Sequence, residues 1–138
     1  MKHQDTEKQR LPEFAEFHED FLAKWDHAMK TGDAAKLEAK MVDEYKVYFF
    51  TKAEEAPSVF EIGEIKQGMR ASVSGLSGGR KTFTNKVIRM CGDDEAVVFY
   101  EQIIEKDGEE KARLFTIESW KASGSDWILL REIVQPVG

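Results

Sequence analysis

The sequence predicts an α+β fold in which N-terminal helices pack on a single antiparallel β-sheet. An apolar stripe with helical spacing occupies the first third of the chain, and strand-like runs follow one another in the second half. Asp107-Gly108 lies between two of these runs, and Asp-Gly in that position is a strong signal of a tight hairpin turn. Because strands and helices do not alternate along the chain, a doubly wound sheet is excluded.

The first predicted helix starts at Pro12, a residue suited to the first helical turn. Its apolar residues recur at three- and four-residue steps, and Gly32 is a natural stop. They are Phe14, Phe17, Phe21, Trp25, Ala28 and Met29. Asp33 follows and is expected to cap a second helix from Ala34 to about Met41.

The remaining elements follow from composition and turn residues. A strand over 42–51 precedes a polar loop at 52–58, a short extended piece at 59–62 and a helix over about 64–73. A serine- and glycine-rich breaker at 74–79 then leads to four predicted strands, at about 81–91, 95–105, 110–122 and 126–135. We expect these four strands to form an antiparallel meander.

Length and charge exclude several classes of protein. The 138 residues suit one domain, which we place at 12–138 behind a flexible leader at 1–11. A net charge of −6 with no basic stripe argues against a nucleic-acid partner. No apolar run is long enough to span a membrane. The polar N-terminus and the single cysteine, Cys91, predict a cytoplasmic protein without disulfides.

Alternation along the predicted strands assigns side chains to two sheet faces. Centring the turns on Asp107-Gly108 and Ser123-Gly124 places Glu101 opposite Leu114 and Thr116 opposite Arg131. The face expected to be concave then carries a polar group among apolar residues that include Phe99, Trp120 and Trp127. The polar members are Lys86, Glu101, Thr116, Glu118 and Arg131.

The opposite face is also largely apolar, with Tyr100, Phe115 and Ile117 among its residues. A monomeric antiparallel sheet usually exposes one polar face to water. We therefore expect a homodimer that buries this second face.

The polar group on the expected concave face has two interpretations. Buried charges need partners, so one interpretation is a structural network such as Lys86–Glu101 with Arg131–Glu118. The other is a site in which Arg131 binds the anionic group of an otherwise apolar ligand.

His18 lies between Phe14 and Phe21 on the stripe of the first helix. It is either a hydrogen-bonded core histidine or a group that contacts a ligand or transfers protons. The three histidines lie in or before the helices, so we predict no metal site, and no cofactor motif is present.

Three short motifs resemble those of the nuclear transport factor 2-like (NTF2-like) superfamily, in particular its SnoaL-like and ketosteroid-isomerase-like members with a cystatin-like α+β fold. They are the helix junction Phe21–Asp33, the segment Met41-Val42-Asp43-Glu44-Tyr45 at the start of the first strand, and the closing Asp126-Trp127-Ile128-Leu129-Leu130-Arg131-Glu132. The resemblance covers about residues 12–136. It implies a strongly curved sheet forming a cone-shaped half-barrel, an apolar pocket under the helices, and homodimerisation through the sheet.

That superfamily includes isomerases, dehydratases, cyclases and non-catalytic binding modules, so the fold does not decide the function. No position reproduces its catalytic motif, and we transfer no catalytic residue. Our leading hypothesis is a small-molecule-binding protein. The alternatives are an isomerase or dehydratase that uses Glu101 or Glu118 with a tyrosine, and a protein-interaction module that uses the apolar sheet face. The expected pocket residues are His18, Phe21, Trp25, Tyr45, Tyr48, Lys86, Phe99, Glu101, Thr116, Glu118 and Arg131.

Overall fold

The computed structural model describes residues 2–51, 56–76 and 78–137, with side chains described from residue 10 onward. Over these residues the helices are α1 (Lys2–Thr31), α2 (Ala35–Glu38) and α3 (Ile62–Gly75). The strands are β1 (Met41–Phe49), β2 (Ser58–Phe60), β3 (Arg80–Met90), β4 (Glu95–Lys106), β5 (Glu109–Ser123) and β6 (Asp126–Pro136). The part of the predicted loop at residues 52–55 lies outside the described residues.

Helix α1 begins at Lys2, so the predicted start at Pro12 is wrong. The preceding residues lack the apolar periodicity on which that prediction relied, but they are rich in Lys, Glu and Gln, which favour helix. Helix α2 ends at Glu38, and Met41 already belongs to β1.

The described strands form one curled, unclosed six-stranded sheet in the order β2-β1-β6-β5-β4-β3. The predicted meander of β3 to β6 is confirmed by antiparallel pairing between successive strands. Strand β1 pairs in parallel with β6, a pairing that the sequence patterns do not predict. The α+β class and the curved sheet are therefore both confirmed.

The predicted register between β4 and β5 is wrong by one residue. The turn itself is as expected, with positive φ at Asp107 and Gly108. A β-bulge follows it, because Glu105 pairs with Glu110 whereas Ile104 pairs with Ala112. Beyond the bulge Glu101 lies opposite Phe115 and Phe99 opposite Ile117. A one-residue shift reverses the face of every side chain, so Phe99 and Glu101 lie on the outer face of the sheet.

The predicted pairing of Thr116 with Arg131 is wrong, because the turn lies at Gly124-Ser125 and Thr116 pairs with Val134. A second bulge also changes the faces of β6. Trp120 pairs with Leu129, but Ser119 pairs with Arg131, which leaves Leu130 as the extra residue. Trp127 and Leu129 therefore face the helices as predicted. After the bulge, Glu132 and Val134 face inward, and Arg131 lies on the outer face.

Strand β3 has its own bulge where Asn85 has a φ of 56°. Thr84, rather than Lys86, lies opposite Glu101, and Ile88 lies opposite Val98. The bulge leaves Lys86 facing α1, where its Nζ contacts His18 and Glu19.

The core lies between α1 and the inner sheet face and is strongly aromatic. The rings of Phe14 and Trp127 pack edge to face at 4.8 Å, as do those of Phe21 and Trp120 at 4.8 Å. Such pairs add to the stabilisation from buried apolar area. This packing confirms the predicted contact between the aromatic stripe of α1 and both tryptophans.

Over the described residues, none of the helices has the length and hydropathy needed to cross a bilayer.

Candidate functional site

A cavity of about 390 Å³ lies between the helices and the inner face of the sheet. Side chains of α1, α3 and five of the strands line it, and most of them are apolar. The apolar part includes Phe21, Trp25, Met41, Val47, Phe49, Ile65, Met69, Leu114, Leu129 and Val134. The polar part is formed by Tyr45, Ser72, Lys81, Tyr100, Gln102, Glu118 and Glu132. A cavity of this size and character accommodates a small, largely apolar molecule.

Glu132 and Tyr45 form a polar pair in the cavity wall. The Tyr45 hydroxyl donates a hydrogen bond of 2.5 Å to Oε2 of Glu132. Desolvation, reinforced by the negative charge of Glu118, raises the pKa of Glu132 to about 7, although Tyr45 and Lys81 act in the opposite direction. Burial also raises the pKa of the Tyr45 hydroxyl well above its ordinary value. A carboxyl group that titrates near neutrality is suited to both accepting and releasing a proton.

Lys81 is the ammonium group of the same cavity. Its Nζ donates a hydrogen bond of 3.3 Å to Oε1 of Gln102 and lies 3.4 Å from the centre of the Trp25 ring. Desolvation lowers the pKa of Lys81 to about 8, against the opposing charge of Glu132. Gln102 is fixed in turn, because its Nε2 donates to Oγ1 of Thr116 at 2.8 Å.

Glu118 is the centre of a buried hydrogen-bond network beside the cavity. It accepts hydrogen bonds from His18 Nε2 at 2.7 Å, from Trp120 Nε1 at 2.9 Å, and from the Tyr100 hydroxyl. Lys86 Nζ lies 3.5 Å from the other imidazole nitrogen of His18. A donor on that side places the His18 proton on Nε2. Three of the roughly four lone-pair positions of the Glu118 carboxylate are thus occupied, and its side chain is held in place.

A further cavity of about 350 Å³ lies on the other side of Lys81, toward α1. Its wall includes Glu19, Asp26, Phe83 and Lys86. Lys86 forms an ion pair with Glu19, and this contact lowers the pKa of the Glu19 carboxyl.

Several residues predicted for the pocket lie in or beside the main cavity. Phe21, Trp25, Tyr45 and Glu118 line it directly. His18 and Thr116 are fully buried and reach it through Glu118 and Gln102, and Lys86 lines the adjoining cavity. The contacts of His18 are those of a hydrogen-bonded core histidine, the first of the two interpretations given above.

Four predicted pocket residues lie elsewhere. Phe99, Glu101 and Arg131 were assigned to the concave face, and the bulges place them on the outer face instead. Tyr48 and Arg131 line a groove on that outer side. Neither of the predicted ion pairs forms: Glu101 lies 3.7 Å from Arg113 rather than beside Lys86, and Arg131 is separated from Glu118 by the sheet.

Lys81, Gln102 and Glu132 line the cavity although they were not predicted as pocket residues, and the predicted register places Tyr100 on the wrong face of the sheet. One signal of the second bulge was present. The apolar run Ile128-Leu129-Leu130 interrupts the alternation just before Glu132, and such a break is typical of a bulge.

Among the described residues, no group of three or more His, Cys, Asp or Glu side chains is arranged to hold a metal ion.

Comparison with known proteins places the fold in a recognised group. No protein-family model matches the sequence, and no curated protein matches it. Among solved structures, an NTF2-like protein with a cystatin-like fold from Novosphingobium aromaticivorans is similar with a TM-score of 0.72 and 14% identity, over 94% of this chain and 86% of that one. Aln2 from a Streptomyces species is similar with a TM-score of 0.70 and 16% identity, over 91% of each chain.

A candidate dehydratase of the NTF2-like family from Streptomyces avermitilis is similar with a TM-score of 0.66 and 14% identity, over 86% of this chain and 91% of that one. Identities at this level show the fold alone. The resemblance drawn from the three sequence motifs is confirmed at that level: this chain has the cystatin-like α+β cone fold of the NTF2-like proteins.

Proposed function

We propose that the protein binds a small, largely apolar molecule in the main cavity and transfers a proton to or from it through Glu132. The reaction class is isomerisation or dehydration, which joins the leading hypothesis of ligand binding to the alternative of acid/base catalysis. The catalytic carboxyl group is Glu132, in place of Glu101 or Glu118.

The contrast between the two inward-facing carboxyl groups carries this proposal. Glu118 is engaged by three donors, whereas Glu132 lines the cavity with Tyr45 as its hydrogen-bond donor among the described residues. A general base must have a lone pair free to reach a substrate proton. Glu132 meets this requirement, and its titration near neutrality matches the operating pH of most enzymes.

The neighbours of Glu132 suit both reactions. In an isomerisation, Glu132 removes a proton next to a carbonyl group and returns it at another carbon. Lys81 stabilises the negative charge that develops on the oxygen in between. In a dehydration, Glu132 removes the proton next to the carbonyl group and then donates it to the departing hydroxyl group, which leaves as water as the carbon–carbon double bond forms. A candidate dehydratase among proteins of the same fold is compatible with the second reaction.

A generic probe of buried bases tests this proposal without knowledge of the substrate. The base-promoted ring opening of 5-nitrobenzisoxazole breaks a C–H and an N–O bond and releases a coloured cyanophenolate. We expect the protein to accelerate it, and E132Q to lower the accelerated rate by about 100-fold or more. E101Q, which changes a glutamate of the outer face, is the matched control and should leave the rate unchanged.

The proposal is wrong if E132Q and E101Q have the same rate as the unmodified protein. If the probe binds but its rate of ring opening stays at that of the reaction without protein, the protein binds ligands without acid/base chemistry. The hypothesis of a small-molecule-binding protein would then stand without the catalytic part.

We further propose that the outer sheet face is covered by a second copy of the chain. Its apolar side chains include Val87 and Phe115, which are 53% and 37% exposed. Phe99 and Ile117 form a cross-strand pair between them. Contiguous apolar surface of this kind favours association, and a pairing of like faces has the symmetry of a homodimer.

A further inference from the structure

Lys81 is a cation in a mostly apolar cavity, and its close contacts are with neutral groups. The hydrogen-bond acceptor of its Nζ is the neutral amide oxygen of Gln102, and its other close contact is the face of Trp25. None of the described carboxylates forms an ion pair with Lys81, whereas the neighbouring Lys86 is paired with Glu19. An ammonium group has three donors, so Lys81 has donor capacity that the described side chains do not use.

A cation without a paired anion is costly in an apolar environment. A ligand oxygen with negative charge would remove this cost by forming a charge-assisted hydrogen bond, which is stronger than a neutral one. The apolar wall around Lys81, formed in part by Trp25, Met69 and Leu129, would hold the rest of such a ligand.

We infer that the cavity selects small organic monoanions, with an aromatic or alicyclic body against the apolar wall and a carboxylate or enolate oxygen on Lys81 Nζ. This inference rests on the proposed binding function and specifies the charge of the ligand. The anion site expected at Arg131 is thus replaced by one at Lys81, on the inner face of the sheet.

The two carboxyl groups that line the main cavity with Lys81 do not oppose this selection strongly. Glu118 already receives three hydrogen bonds, which disperse its charge. An anion beside Glu132 favours the protonated form of that carboxyl group. The protonated Glu132 would then donate a hydrogen bond to the ligand rather than repel it.

A pair of probes with the same apolar body tests the inference. Binding of 2-naphthoate and of 2-naphthylmethanol is measured by titration calorimetry at neutral pH. We expect the unmodified protein to bind the anion at least about tenfold more tightly than the alcohol, as one charge-assisted hydrogen bond predicts. K81M should remove this preference, K81R should retain it, and K86M, which changes the paired lysine, should also retain it.

Equal affinity for the two probes in the unmodified protein would overturn the inference and leave the proposed binding function intact. A preference that survives in K81M would also overturn it. If neither probe binds, the proposed function fails together with the inference. The comparison of two probes on the unmodified protein decides the result even if K81M does not fold.

Discussion

The Tyr45 hydroxyl lies 2.5 Å from Oε2 of Glu132, so the phenol of β1 and the carboxyl group of β6 form one unit in the cavity wall. The parallel pairing of these two strands produces this contact. Val47, which lies two residues after Tyr45 and on the same face of β1, pairs with Glu132 in the sheet. The hydrogen bond from Tyr45 lowers the pKa of Glu132, in opposition to the desolvation that raises it. Tyr45 therefore adjusts the pH at which Glu132 changes its protonation state.

Removing this hydrogen bond should make Glu132 a weaker acid. We expect Y45F to raise the pKa of Glu132 further, and hence to move the pH–rate profile of the 5-nitrobenzisoxazole reaction toward higher pH. The rate at neutral pH should fall and recover as the pH increases. Y48F changes a tyrosine of the same strand that faces the outer side, and it should leave the profile unchanged. A profile that is identical in Y45F and Y48F would show that Tyr45 does not act on the reacting carboxyl group.

The raised pKa of Glu132 has a consequence for stability. An unfolded glutamate ionises near its ordinary value, whereas the folded protein holds Glu132 protonated up to a pKa of about 7. The folded state binds more protons between these values, so stability falls as pH rises through that window. We expect the free energy of unfolding of the unmodified protein to decline relative to that of E132Q between about pH 5 and pH 8, by about 1 to 3 kcal/mol.

Urea denaturation at a series of pH values measures this difference, and E101Q serves as the control. The range ends at pH 8 because Lys81, with a pKa of about 8, adds its own dependence above that value. Parallel curves for the unmodified protein and E132Q would mean that Glu132 titrates alike in the folded and unfolded states.

The network around Glu118 should be important for folding rather than for chemistry. In E118Q, one carboxylate oxygen is replaced by an NH₂ group that faces donors from His18, Tyr100 or Trp120. Buried donors would then lack acceptors, and we expect a loss of about 2 to 4 kcal/mol in the free energy of unfolding. E101Q removes a carboxylate that lies 3.7 Å from the half-exposed Arg113. This substitution should change the free energy of unfolding by less than about 0.5 kcal/mol. Equal effects of the two substitutions would contradict this role of Glu118.

How much of this site the sequence could predict depends on the bulges. Hydrophobic periodicity and turn residues predict each strand to within a few residues, and they place Phe21, Trp25 and Glu118 correctly. A β-bulge adds one residue to a strand and reverses the alternation beyond it. The bulge after the Asp107-Gly108 turn moved Glu101 and Phe99 outward, and the bulge at Leu130 exchanged Arg131 for Glu132.

Lys81 was missed because of the bulge in β3. Alternation back from Lys86 along the predicted strand at 81–91 places Lys81 on the opposite face, and the bulge at Asn85 turns it toward the cavity. Its burial depends on Trp25 of α1 and Gln102 of β4, which are distant in sequence. Only the tertiary contacts reveal an ammonium group inside the cavity.

The proposed dimer predicts a measurable mass. Light scattering coupled to size exclusion should give twice the chain mass of 15.8 kDa. V87D places a charge on the outer face and should shift the protein toward the monomer, because an unpaired buried charge is costly. Q67D adds the same charge on the exposed side of α3 and should leave the mass unchanged. A monomeric mass for the unmodified protein would contradict the proposal.

A measurement of the pKa of Glu132 is the most direct test of the proposed proton transfer. The protein labelled with ¹³C at the glutamate side-chain carboxyl carbon can be titrated by NMR, and the signal that disappears in E132Q identifies Glu132. We predict that this signal titrates at a pKa of about 7, well above the ordinary range of a glutamate. A midpoint in the ordinary range would contradict the central claim, because Glu132 would then be a solvated carboxylate rather than the proton-transferring group of the cavity.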